Sequence, residues 1–187
     1  MRVYPTSIPD LVTVAMPVFR DSRGFFAETW RNEWAAKLGL EDGFVQDNHA
    51  RSETKGVLRG LHFQKPPHEQ AKLVWVTAGA VFDVAVDIRT GSPTFGQWYG
   101  IVLSPDNMLR LFIPKGFAHG YMCLEPGSEF HYKVDAYYNP ESEGGIRYDD
   151  PELGIAWPGE SPVLSEKDRA LPLMSAFTSP FIYRNKQ

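Results

Sequence analysis

The sequence predicts an all-β fold, a double-sheet jelly roll with a few short helices. Three observations carry that prediction: period-two apolar runs through the middle of the chain, turn-forming residues between them, and little helical periodicity. Taken in order, the one helix signal comes early. Trp30, Trp34 and Leu38 recur at helical spacing, with Thr29 placed to cap the start and Gly39 to end it. Lys72, Val74 and Val76 then share one face of a strand. Phe82, Val84, Val86 and Ile88 share one face of the next, with Asp83 and Asp87 on the other. Phe130, Tyr132, Val134, Ala136 and Tyr138 form a third same-face set. Lys65-Pro66-Pro67, Ala78-Gly79, Gly91-Ser92-Pro93, Pro114-Lys115-Gly116 and Glu125-Pro126-Gly127 punctuate these runs. Many short strands so spaced favour a sandwich or barrel, and a jelly roll leaves an interior wide enough for a ligand. Beyond about residue 140 the chain turns rich in Pro, Gly and acidic residues, and is expected to wrap the barrel. The whole span 1–187 therefore reads as one domain.

Composition narrows the function. Hydrophobic residues make up 43%, enough for a core that needs no covalent staples. The single cysteine, Cys123, excludes an internal disulfide and fits a reducing compartment, so a cytoplasmic location is expected. No apolar stretch approaches the length of a membrane span. The net charge of −4 disfavours a nucleic-acid polymer as partner, though an anionic small molecule remains compatible if a few Arg and Lys converge on one pocket.

Pro114-Lys115-Gly116-Phe117-Ala118-His119 resembles the second motif of the cupins. Upstream, His62 is followed by Gln64 and Glu69, where a metal-binding cupin has His-x-His and then Glu. The second histidine is missing, and Gln is a poor replacement for imidazole on a transition metal. The scaffold thus looks cupin-like, with its metal site put to other use. The more specific blocks are Phe19 to Glu28, Gln46-Asp47-Asn48-His49, Gly56 to Gln64 with its Leu-Arg-Gly-Leu-His, Gln70 to Val74 and Val84 to Arg89. They continue through Ser92 to Gly96, Ile113 to Gly120, Tyr132-Lys133 and Leu164 to Asp168. In order and across nearly the whole chain these resemble the dTDP-4-dehydrorhamnose 3,5-epimerase family. The resemblance implies a homodimeric, cofactor-free enzyme with no metal, acting on the nucleotide sugar dTDP-4-dehydro-6-deoxyglucose.

The implied reaction inverts carbons 3 and 5 of a hexose whose carbon 4 is a ketone. Both protons are alpha to that carbonyl, so a base, an enolate stabiliser and an acid on the opposite face suffice. His62 is the candidate base, and the resemblance assigns it Asp168 as orienting partner. Tyr132 is the candidate acid, since a phenol with an ordinary pKa of about 10 holds its proton at neutral pH. Lys72, of one parity with Val74 and Val76, is the candidate enolate stabiliser, and His119 is expected to contact the sugar. Substrate binding is carried over to Arg23, Glu28, Gln46, Asp47, Asn48, Arg59, Tyr138, Glu143 and Lys167. The arginines suit a diphosphate, Glu28 and the 46–48 segment suit thymine or sugar hydroxyls, and Tyr138 falls where the family stacks an aromatic on the base. Taken singly, a buried histidine on a carboxylate, a strand tyrosine packed in a core or a solvated lysine is an ordinary structural feature. Arg59 and His62 pose a specific difficulty. Their odd separation puts them on opposite faces of a regular strand, so a bulge, a strand end or a neighbouring subunit must intervene. Ala50 stands where many relatives carry Ser.

Three rivals make different demands. A mono-epimerase shares these motifs. A metal-dependent cupin needs His62, Glu69 and His119 around one ion. A sugar-nucleotide-binding module needs the pocket but not His62, Asp168 and Tyr132 together.

Overall fold

The computed structural model describes residues 1–159 and 161–184. Thirteen strands run as β1 (Arg2–Pro5), β2 (Val12–Ala15), β3 (Val18–Asp21), β4 (Gly24–Ala27), β5 (Gln46–Ser52), β6 (Leu58–Gln64) and β7 (Lys72–Ala78). They continue as β8 (Val81–Asp87), β9 (Trp98–Leu103), β10 (Leu109–Ile113), β11 (Phe117–Cys123), β12 (Ser128–Val134) and β13 (Glu143–Gly145). A six-stranded sheet in the order β1-β2-β10-β7-β12-β5 faces a five-stranded sheet in the order β13-β6-β11-β8-β9, and β3–β4 stands apart as a hairpin. This is the expected jelly roll. No helix among the described residues is long and apolar enough to cross a membrane.

Hydrophobic burial fills three layers rather than one. Between the sheets, Val74, Val76, Leu111 and Phe130 meet Ala85, Phe117 and Tyr121. On the far side of the five-stranded sheet, Leu61, Phe63, Val84, Val86 and Ile88 are covered by Ile146, Leu153, Met174 and Phe181 from the C-terminal segment, which does wrap the sheet. On the far side of the six-stranded sheet, Val14, Leu73 and Phe112 lie beneath Trp34 and Leu38. The apolar parity of β8 therefore packs against the wrapping segment, and Asp83 falls on the face turned to the barrel interior. A carboxylate there must be partnered, because burial of a lone charge is costly.

Two local expectations are corrected. The early helix is a 3-10 helix over Asn32–Leu38, preceded by extended Arg31 with no side-chain cap. Thr29 is not its cap; its carbonyl instead accepts from Arg110 Nη1 at 2.8 Å. Gly39 does end it, in the left-handed region at φ 71°. The third apolar set stops at Val134, where β12 ends, so strand parity does not orient Ala136 or Tyr138.

The difficulty with Arg59 and His62 is resolved by a bulge. β11 sets His119 opposite His62 and Tyr121 opposite Arg59, so three steps along β6 face two along β11. The extra residue returns both side chains to the interior face. Gly60 makes this feasible: its φ is 124°, and a Cβ there would lie 2.6 Å from Gly120 Cα.

Candidate active site

The interior face opens on a cavity of about 490 Å³ between the two sheets, lined by Arg59, His62, Lys72, His119, Tyr132, Lys167 and Asp168. Of the four predicted catalytic side chains, β6 supplies His62, β7 Lys72 and β12 Tyr132. The fourth, Asp168, sits on a short helix, α1 (Glu166–Arg169), in the wrapping segment.

His62 Nε2 lies 2.5 Å from Asp168 Oδ1. The carboxylate is held from its other side, where Ser165 Oγ donates to Oδ2 at 2.8 Å. The same hydroxyl accepts from the Asp168 backbone N–H as the helix cap. Burial pushes the Asp168 carboxyl up, but the hydrogen bonds from His62 and Ser165 outweigh it and leave it below the usual carboxylate range. An ionised Asp168 holds the ring in one orientation and gives a counter-charge to the imidazolium that proton abstraction creates.

A second pair lies deeper. His119 Nε2 contacts Asp83 Oδ2 at 2.9 Å, with the His119 and Asp83 side chains only 7% and 0% exposed. Burial holds the His119 ring below its ordinary pKa, against the pull of Asp83. Lys72 is lowered to about 8 by desolvation, with Asp83 and Glu143 opposing the shift. Its ammonium is thus mostly charged at neutral pH, yet stripped of most of its water. Tyr132 is raised by burial, with Arg59 acting in the opposite direction, so the phenol keeps its proton. A charged ammonium, a protonated phenol and a carboxylate-bound imidazole around one cavity can abstract a proton, hold an oxyanion and return a proton.

A chain of contacts leads outward from Lys167. Lys167 Nζ pairs with a Glu143 oxygen, and Tyr138 Oη donates to Glu143 Oε2 at 2.9 Å. The Tyr138 N–H reaches Gln46 Oε1 at 3.4 Å, and Gln46 Nε2 donates to Asn48 Oδ1 at 2.8 Å. The Tyr138 ring itself is half exposed, leaving a face free for stacking. Three predicted binding residues are not gathered here. Asp47 falls between Gln46 and Asn48 on β5 and so faces the other way, where it receives Lys133 Nζ at 2.6 Å. Arg23 and Glu28 belong to the β3–β4 hairpin and its exit and do not line the cavity. Arg23 pairs instead with Asp21 at 2.6 Å.

Sequence reading missed Asp83, Ser165 and Tyr121. Asp83 was visible as an acid in an apolar strand. Tyr121 lines the cavity with its ring stacked on Phe130 at 3.9 Å, and its buried hydroxyl has no hydrogen-bond partner among the described residues. Ala50 also lines this cavity. The donor set a metal cupin would need is not assembled. Gln64 is buried and accepts from the Asn139 N–H, and Glu69 does not join His62 and His119 in a cluster tight enough for one ion.

A jelly roll whose cavity gathers a carboxylate-bound imidazole, an ammonium and a phenol has the groups that a cofactor-free carbohydrate epimerase requires. The family model for dTDP-4-dehydrorhamnose 3,5-epimerase matches residues 5–176, and the chain belongs to that family. It is 51% identical over 176 residues to the dTDP-4-dehydrorhamnose 3,5-epimerase of Salmonella typhimurium, covering 93% of this chain and 96% of that one. Among solved structures, the dTDP-6-deoxy-D-glucose-3,5-epimerase of Legionella pneumophila, in complex with dTDP-4-keto-L-rhamnose, is 48% identical. It superposes with a TM-score of 0.92 over 100% of this chain and 99% of that chain. A 3′-monoepimerase from Streptomyces bikiniensis, in complex with dTDP-quinovose, is 32% identical with a TM-score of 0.86, over 92% of this chain and 87% of that chain.

Proposed function

We propose that this chain is a dTDP-4-dehydrorhamnose 3,5-epimerase, inverting C3 and C5 of dTDP-4-dehydro-6-deoxy-D-glucose to give dTDP-4-dehydro-L-rhamnose. The observation that carries the catalytic assignment is His62 held on Asp168 at 2.5 Å with Lys72 and Tyr132 lining the same cavity. His62 removes the proton from the carbon alpha to the ketone, and the C–H electron pair moves into an enolate whose oxygen takes the negative charge. Lys72 stabilises that oxygen in a site where little water competes. Tyr132 then gives its phenolic proton to the opposite face of the carbon, the enolate collapses to the ketone, and solvent resets both groups. The same set serves both carbons because both flank the same carbonyl. No redox or metal step is needed, since the carbonyl already acidifies the proton.

His119, held by Asp83, reaches the sugar from below. Arg59 meets the diphosphate, and Tyr138, Gln46, Asn48, Glu143 and Lys167 hold the nucleotide end. Arg23 and Glu28 act across a homodimer. This reading is supported by the hairpin that carries Arg23, which also exposes Phe19, Phe25 and Phe26 at 60%, 58% and 66%. A second copy covering those rings would bury a patch that water disfavours. The chain acts as a single domain, and its lone buried Cys123 suits the cytoplasm.

Incubation with the substrate in deuterated water, followed by NMR, tests the reading. Deuterium at both C3 and C5 supports the double epimerase. Exchange at C3 alone or at C5 alone makes the chain a mono-epimerase, the former like the 3′-monoepimerase to which it is 32% identical, and exchange at neither refutes the catalytic assignment. Tyr132→Phe is expected to retain exchange from the His62 face while losing net inversion, read in the same spectra.

A further inference from the structure

The outer face of the six-stranded sheet carries a cluster that the epimerase chemistry does not use. β5 and β12 pair so that His49 stands opposite His131, and Arg51 opposite Glu129. All four side chains share the outward parity, while Phe130 and Tyr132 of the same strand point inward. One nitrogen from each histidine and one Glu129 oxygen all lie within 4.8 Å of one another. We propose that His49, Glu129 and His131 form a binding site for a divalent transition ion of the zinc class, separate from the catalytic cavity.

Two imidazoles and a carboxylate are a ligand set that zinc accepts, with water completing a tetrahedron. The cluster also has the outer partners such sites use. Arg51 Nη1 holds Glu129 Oε1 at 3.1 Å, which leaves Oε2, 3.4 Å from His49 Nε2, to turn toward an ion. Thr77 Oγ1 lies 2.8 Å from His131 Nε2 and anchors that ring from β7. Trp75 lies parallel to His131, with ring centroids 5.6 Å apart, and screens one side from water. The two histidine rings are stacked at 4.1 Å with 10° between their planes, so they must tilt to aim their lone pairs at one point. Directly opposed strand residues have Cβ atoms about 5 Å apart, so that tilt needs side-chain rotation and no movement of the strands. His49 is half exposed, which leaves it room to turn. A bound ion would tie β5 to β12 and, through Thr77, to β7, adding stability at a distance from the chemistry.

Isothermal titration of zinc chloride into the chelator-stripped full chain tests this, alongside thermal unfolding with and without zinc. The expected result is one zinc per chain and a rise in Tm on saturation. His49→Gln and His131→Gln should each weaken binding by at least about tenfold and abolish that rise. Their unfolding curves in the absence of zinc verify that each variant is folded. Failure of the parent chain to take up zinc overturns the site. So does binding that is unchanged in both variants, since the ion would then lie elsewhere, for example on His62 and His119.

Discussion

Two histidine–carboxylate pairs flank the cavity, their histidines on adjacent strands of one sheet, and they differ in burial far more than in geometry. His62 leaves 30% of its side chain exposed to the cavity, whereas His119 leaves 7%. Asp168 is tied to a capping hydroxyl and lies in the wrapping segment. Asp83 lies inside the sheet, and its Oδ1 is left without a hydrogen-bond partner among the described residues. A base must shed its proton to solvent between turnovers, and only the first pair is placed to do so. The second is better suited to fixed orientation. Identical residue types thus take on different work according to how much water each can reach.

The largest expected effect breaks the first pair. His62→Ala should lower deuterium exchange at both carbons by at least about 10³-fold, the scale of a lost general base, as read by NMR. Asp168→Asn keeps the shape but loses the charge that favours the protonated ring, and should reduce kcat by about 10²-fold with little change in KM. An equal loss from Asp83→Asn would erase the contrast between the pairs. Asp83→Ala should instead act mainly on the fold. It strands a buried imidazole, at a cost of about 1–3 kcal/mol in denaturant unfolding.

The smallest effect on stability concerns Lys72, which lines the same cavity from the opposite sheet. Its folded pKa of about 8 lies below the ordinary 10.5. Between those values the unfolded chain binds more protons, so stability should rise with pH across that window and be lowest, by a constant amount, below it. Turnover should move the other way, falling as pH rises through about 8 and the ammonium is lost. Lys72→Met should accordingly raise Tm by a few degrees at neutral pH, about 1 kcal/mol on a chain of this size, while removing activity. Unchanged Tm would mean that the lysine is better solvated than its surroundings suggest.

Strand parity was enough to read the class of fold, and it oriented Lys72 and Tyr132 correctly, because alternation is a local property. It failed where the backbone departs from regularity. Arg59 and His62 share a face only through the bulge at Gly60. The chain advertises that bulge with nothing but Gly60, whose neighbour across the sheet is Gly120, far outside the reach of any local pattern. The helix was placed early because Trp30 continues its apolar spacing, although that ring packs on Trp34 and Phe44 from outside the helical turn. Parity separated Asp83 from the apolar set of β8 but did not say which face is turned to the interior. Both faces of β8 are in fact covered, so its polar side turned inward to the site. Asp168 was found by resemblance alone, since no periodicity links two residues 106 positions apart.

That separation has a consequence for synthesis. Every strand of the barrel is complete by Gly145, yet the carboxylate that completes the base arrives only with α1. The strands can pair before the base is complete, and Met174 and Phe181, which cover Leu61 and Val84, arrive later still. A chain ending before Ser165 would keep Arg59, Lys72 and Tyr132 but lack both Asp168 and Lys167, so the acid and the oxyanion partner would be in place without a completed base.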